Sequence, residues 1–114
     1  MMIEEQWRPV ATIDDIADGG YVEADVDGQS VLLIRFGNEA FALENVCSHA
    51  ASTLYGGRLR NGRISCPLHG AVFDARTGAA IGGGLAPCGV RTFGIRVVDG
   101  KVELHRFLKH GLPR

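Results

Sequence analysis

An all-β fold of packed antiparallel sheets is expected for this chain, on three observations. Asp27-Gly28, Asn61-Gly62 and Asp99-Gly100 are dipeptides that close two-residue hairpins, because Asp, Asn and Gly tolerate the left-handed backbone such turns require; Gly37-Asn38 is a fourth candidate. The segments between these turns are short, and several alternate apolar with polar residues, as half-buried strands do. No ten-residue stretch repeats its apolar residues at helical spacing.

In chain order, Gln6–Ala11 reads as a first strand at a sheet edge, the only place where Pro9 is tolerated. Thr12 then precedes Ile13-Asp14-Asp15-Ile16, with Asp15 three residues on, the spacing of a capping box; one helical turn is expected there, ended by Gly19. Tyr21–Asp25 and Val31–Phe36 flank Asp27-Gly28, and Ala40–Glu44 follows Gly37-Asn38. Arg63–Ser65 leaves Asn61-Gly62, Ala71–Asp74 comes next, and Arg91–Val98 and Val102–Leu104 flank Asp99-Gly100. The tail, His105–Arg114, is expected by default for a terminus to be a frayed basic end, with a strap over the base or a partner contact as the alternatives.

At 114 residues the chain is expected to be one domain. Its 46% hydrophobic and 22% charged residues are those of an ordinary soluble globule. The acidic start, Met1-Met2-Ile3-Glu4-Glu5, lacks the basic-then-apolar order of a signal peptide. The longest aliphatic run, Val31-Leu32-Leu33-Ile34, is far short of a membrane span. A cytoplasmic protein with no membrane partner is expected. Net charge is −1, but residues 1–44 hold ten acids and two bases, whereas residues 45–114 hold three acids and ten bases. That split is either a set of solvated strand faces or, in Arg58, Arg60, Arg63 and Arg76, a basic rim that steers an acidic partner. With the overall balance slightly acidic and no interleaving of basic and aromatic residues, nucleic acid is not expected.

Function is concentrated in two clusters, Cys47-Ser48-His49 and Cys66-Pro67-Leu68-His69, with sixteen residues between them. Each offers one thiolate and one imidazole, Cys before His. A zinc ion could use the set, but zinc ligands usually come as C-x2-4-C and H-x3-5-H pairs, and C-x-H is too tight to wrap one tetrahedral ion. Two such loops suit a pair of bridged irons, with both Cys on one iron and both His on the other. A disulfide between Cys47 and Cys66 is also possible, though it leaves both histidines unexplained. The joint pattern favours iron–sulfur. Cys88 stands in a Gly/Pro loop without a Cys or His neighbour and reads as a free thiol, consistent with a reducing compartment.

On these residues the stretch from about Leu43 to Glu103 resembles the Rieske-type ferredoxins, small electron carriers of multicomponent aromatic-ring oxygenases. Asn45-Val46-Cys47-Ser48-His49 and Cys66-Pro67-Leu68-His69-Gly70 carry the resemblance, with Phe73-Asp74, Thr77-Gly78 and Leu85-Ala86-Pro87 behind them. The resemblance implies a Rieske-like fold in which a base, residues 1–43 and 83–114, carries residues 44–82 as an inserted cluster-binding lobe. It implies one 2Fe–2S cluster on Cys47, His49, Cys66 and His69, the histidine iron nearest solvent, and no catalytic residues. A surround and docking face would comprise Ser48, Ala50, Pro67, Leu68, Gly70, Leu85 and Pro87. The implied partners are an NAD(P)H-dependent flavoprotein ferredoxin reductase and a terminal Rieske non-haem iron oxygenase. The alternative it leaves is a small Rieske-type subunit of an assimilatory nitrite reductase.

Two thiolates and two neutral imidazoles leave an oxidised cluster near neutrality. Such centres therefore accept an electron at roughly −150 to +300 mV, against about −400 mV with four cysteines. High-potential Rieske proteins resemble one another in a disulfide between the loops and in a Ser and a Tyr after the second motif. Here no further Cys accompanies either motif, and Ala71, Val72 and Phe73 carry no hydroxyl. Fewer donors leave the reduced cluster less stabilised, so a low potential is expected.

Overall fold

The computed structural model describes residues 7–46, 53–67, 70–81 and 89–110, the last five by backbone alone. Ten strands lie among them: β1 (Trp7–Thr12), β2 (Tyr21–Val26), β3 (Gln29–Phe36), β4 (Glu39–Glu44), β5 (Leu59–Arg60), β6 (Arg63–Ser65), β7 (Val72–Asp74), β8 (Ala80–Ile81), β9 (Thr92–Val98) and β10 (Lys101–His110). They form two sheets, a six-stranded one in the order β1-β10-β9-β4-β3-β2 and a four-stranded one in the order β5-β6-β7-β8. Every pairing is antiparallel. The fold is all-β, as the turn residues require.

Those turns set the register. Asp27, Asn61 and Asp99 adopt φ of 50–53°, and the glycine after each is also left-handed, so three hairpins close with both central residues at positive φ. Val26 therefore pairs with Gln29, Arg60 with Arg63 and Val98 with Lys101. In the fourth hairpin only Gly37 is left-handed, at 64°, and Phe36 meets Glu39. The single helical element among the described residues is a 3-10 turn, Ile13–Asp15, where the Asp15 carboxylate accepts the Thr12 N–H at 3.2 Å.

The tail departs from expectation. Instead of fraying after Leu104, β10 runs to His110: His105 pairs with Trp7, and, beyond a register break, Lys109 and His110 pair with Phe93 and Thr92. β1 gives His105 a partner and β9 gives Lys109 and His110 theirs, which a free end lacks, and the Trp7 and His105 rings meet edge-on at 5.0 Å. β5 and β8 are also additions to the expected strands. Each is two residues long, too short for periodicity to register.

The run Val31–Ile34 is buried on both faces of its strand. Leu32 and Ile34, with Leu43 across on β4, pack against Leu54, Ile64, Phe73 and Val90 in a core shared by the two sheets. Val31 and Leu33 point the other way, into a second core with Ile16, Ala42, Phe93 and Leu104. The period-two side-chain alternation of a strand thus divides four consecutive aliphatics between two interiors. Arg76 ties the sheets at their margin, its guanidinium 4.5 Å from the Phe36 ring centroid and 5.4 Å from that of Phe41.

Candidate metal centre

Of the expected ligands, Cys66 lies among the described residues; Cys47, His49 and His69 lie outside them, as do Ser48, Ala50, Leu68, Leu85, Pro87 and Cys88. What the structure gives is the framework from which all three loops leave. Ser65 pairs with Val72, and Val72 with Ile81, so residues 66–71 and 82–88 depart from the same end of the small sheet. The segment returning from 47–52 arrives there too. Ser65 donates its N–H to Arg58 O at 3.0 Å, and a Cβ on Gly57 would stand 1.8 Å from Ser65 O. No residue but glycine allows that approach. Gly56 is also close to Pro67, a Cβ there lying 4.0 Å from the proline ring.

Each root is closed locally. Cys66 N–H donates to Ala71 O at 2.7 Å and Gly70 N–H to Cys66 O at 3.1 Å, which binds the second motif into one tight loop with Gly70 left-handed at φ 72°. The third loop is closed by Val90 N–H on Gly78 O at 2.8 Å; a Cβ on Gly78 would stand 2.2 Å from Val90 O, and one on Gly89 2.2 Å from Gly78 O. The first loop is spanned by a side chain. Asn45, 5% exposed, accepts the N–H groups of Leu54 and Tyr55 on Oδ1 at 3.0 and 2.9 Å. Tyr21 extends that support: its hydroxyl accepts Gly56 N–H at 2.9 Å and donates to Gly57 O at 2.7 Å.

Cys66 is 2% exposed and sits in the shared core with Leu54, Ile64, Ala71 and Phe73. Apolar surroundings of this kind would shield a thiolate–iron bond from water. The donor set, one thiol and one imidazole on each of two loops rooted at one sheet end, fits a bridged pair of irons. Pro67 and Gly70, on either side of the Cys66–Ala71 loop, are exposed.

The arginines divide differently from expectation. Arg60 pairs with Arg63 and Arg63 with Asp74, while Ala75 N–H donates to Gly62 O, so Arg60, Arg63 and Arg76 gather at the far end of the small sheet. A two-residue rise along β6, roughly 7 Å, separates Arg63 from Ser65. Only Arg58 stands at the loop end. Strand register, which a linear reading does not supply, makes the difference. Sequence reasoning also missed the roles of Asn45, Tyr21 and Gly57; the Gly56-Gly57 pair and a polar residue two before Cys47 were the available signals.

A model of the Rieske [2Fe-2S] domain matches residues 6–94. The chain belongs to this family. Its cofactor is one Rieske-type 2Fe–2S cluster. Among similar proteins, the anthranilate 1,2-dioxygenase ferredoxin subunit of Burkholderia cepacia is 34% identical over 102 residues, 88% of this chain and 92% of that one. The ferredoxin component of the naphthalene 1,2-dioxygenase/salicylate 5-hydroxylase systems of a Ralstonia species is 32% identical, over 88% of this chain and 95% of its own. In structure, the ferredoxin of carbazole 1,9a-dioxygenase from Nocardioides aromaticivorans IC177 superposes with a TM-score of 0.80 at 33% identity, over 88% of this chain and 97% of that chain. These Rieske relatives are named as ferredoxin components, electron carriers rather than catalytic subunits. No helix among the described residues is long and apolar enough to cross a membrane.

Proposed function

We infer that this chain is a cytoplasmic, low-potential one-electron carrier between an NAD(P)H-dependent flavoprotein reductase and a terminal ring-hydroxylating Rieske oxygenase. The observation that carries this reading is near end-to-end similarity to ferredoxin components of dioxygenase systems, joined to both Cys-His motifs. In this reading Cys47 and Cys66 hold one iron, and His49 and His69 the other. The cluster bound there supplies exchange of a single electron without bond making.

The chain's own residues shape that exchange in three ways. Cys66, buried among apolar side chains, keeps water from its iron. Ala71 and Phe73, both buried, carry no hydroxyl to donate to the ligand sulfurs, which supports the low potential. Pro67 and Gly70 are exposed, and in this reading they belong to a docking face with Ser48, Ala50, Leu68, Leu85 and Pro87, whose small and apolar side chains would let a partner approach closely. Residues 44–82 then act as the cluster-binding lobe of a single domain whose base is 1–43 and 83–114.

The test is direct. The purified chain should be red-brown, bleach on one-electron reduction, take electrons from a ferredoxin reductase with NADH and pass them to an oxidised Rieske oxygenase. A colourless protein, or one that exchanges electrons with neither partner, overturns the reading. Obligate co-purification with a large sirohaem flavoprotein would replace it with the nitrite reductase role.

A further inference from the structure

The three loop roots are not closed alike. The second and third are held by backbone hydrogen bonds, Cys66 to Ala71 and Val90 to Gly78, which any residue with the right φ and ψ would make. Among the described residues, the hydrogen bonds that join 45–46 to 53–55 are made by the Asn45 side chain rather than by backbone. That amide is fully engaged. Its Oδ1 takes two backbone donors, while its Nδ2 donates to Glu23 Oε2 at 2.6 Å and to Ser30 Oγ at 2.9 Å. Its own N–H donates to Ser30 O at 3.2 Å. One buried side chain thus references both ends of the first loop to β2 and β3 of the large sheet.

We propose that Asn45 is the positioning residue of the first ligand loop, setting where that loop presents its Cys and His to the cluster. The proposal rests on the assignment of Cys47 and His49 as ligands. Asn45 touches no iron; it acts through the loop, two residues ahead of Cys47. Its chemistry is specific. The site needs an acceptor toward Leu54 and Tyr55 and a donor toward Glu23, and only a side-chain amide supplies both at this length. Aspartate keeps the acceptor but sets a second carboxylate against Glu23 at hydrogen-bond distance. Alanine leaves the buried Leu54 N–H without its partner.

The geometry also supplies a control. In the reciprocal swap, Glu23→Gln with Asn45→Asp, the new amide at position 23 donates to the new carboxylate at position 45, which still accepts from Leu54 and Tyr55. The Ser30 hydroxyl turns to donate where it accepted before. Every hydrogen bond and the net charge are preserved with the groups exchanged.

The experiment compares wild type, Asn45→Ala, Asn45→Asp and the double swap as full chains loaded with cluster. Retention is read as the rate of bleaching by an iron chelator, and geometry as the electron paramagnetic resonance g-values of the reduced protein, with circular dichroism as the check on folding. The single variants should bleach faster by on the order of 10- to 100-fold, the range for residues that orient metal ligands, with shifted g-values. The double swap should return both readouts to wild type. Single variants that fold and match wild type overturn the proposal, as does a swap that fails to fold or remains as impaired as Asn45→Asp. If the single variants do not fold, the swap decides alone. A wild-type protein without the Rieske resonance would refute the ligand assignment instead, so the two failures are distinguishable.

Discussion

An imidazole ligand removed from an iron has no substitute within a two-residue loop, and a side chain truncated there also releases the loop it anchored. His49→Ala and His69→Ala should each abolish the Rieske visible spectrum and lower the melting temperature, because metal binding and lobe folding are linked. Cys88→Ser should keep the spectrum intact. Bleaching by Cys88→Ser, with His69→Ala still coloured, would reverse the assignment. Phe73 is the second informative residue. It is fully buried in the same core as Cys66, on the strand that leaves the Cys66 loop. A phenol there would need a hydrogen-bond acceptor, and a ligand sulfur can serve. Phe73→Tyr should therefore raise the midpoint potential by on the order of tens of millivolts, where about 59 mV corresponds to 1.4 kcal/mol for one electron. Electrochemical titration of both proteins checks this, and an unchanged or lowered potential defeats the argument. A wild-type midpoint above zero would do the same to the low-potential reading.

At the scale of elements, the β5–β6 hairpin joins the two Cys-His motif segments, and Gly57 is where the chain ahead of β5 meets the end of β6 backbone to backbone. Its missing side chain admits Ser65 O, which cannot swing aside without disturbing the Ser65–Arg58 hydrogen bond. Gly57→Ala should cost about 1–3 kcal/mol or more of stability, the scale of an overpacked site, read from the urea midpoint of the loaded protein. Ordinary wild-type stability in that variant would show that β6 can move. The same hairpin separates the arginines by register, with Arg58 at the loop end and Arg60 and Arg63 at the turn. Arg58→Glu should slow electron exchange at low salt more than the pair Arg60→Glu and Arg63→Glu, and added salt should shrink the difference. Stopped-flow rates at two ionic strengths decide it; equal or reversed effects would place the partner's acidic surface over the turn instead.

The whole molecule is two sheets of unequal strength sharing one core. The large sheet has strands of six to ten residues and a second core to itself, whereas the small sheet is built from strands of two and three residues. Strands that short cannot hold a sheet without outside support. Part of it comes from Phe73, Ile64 and Ala75 packing on Leu32, Ile34 and Leu43; the rest is expected from the cluster. Removing iron should therefore accelerate amide hydrogen exchange across residues 59–81 while β3, β4 and β9 stay slow. Uniform loss of protection would instead mean that the two sheets unfold as one unit.

Four hairpin turns, the all-β class and the four Cys and His candidates could be read from residues 21–104 because each is a local matter. A turn dipeptide constrains its own φ angles, alternation reports one face of one strand, and a ligand motif is two or three residues long. The boundaries of β2, β3, β4 and β9 followed to within two residues for the same reason. What depends on residues distant in the chain was not legible. β5 and β8 exist because β6 and β7 lie beside them, and the 105–110 segment is a strand because Trp7, Phe93 and Thr92 offer it partners. Asn45 belongs to the first motif in sequence, but its partners Glu23, Ser30, Leu54 and Tyr55 are not legible there, and Arg63 is near Cys66 in sequence but set by register at the hairpin end of the small sheet. The chain alone determined which chemistry is carried and where its turns fall. Tertiary structure decided which groups meet, since hydrogen-bond partners and charge neighbours are set by distances in space that sequence separation does not measure.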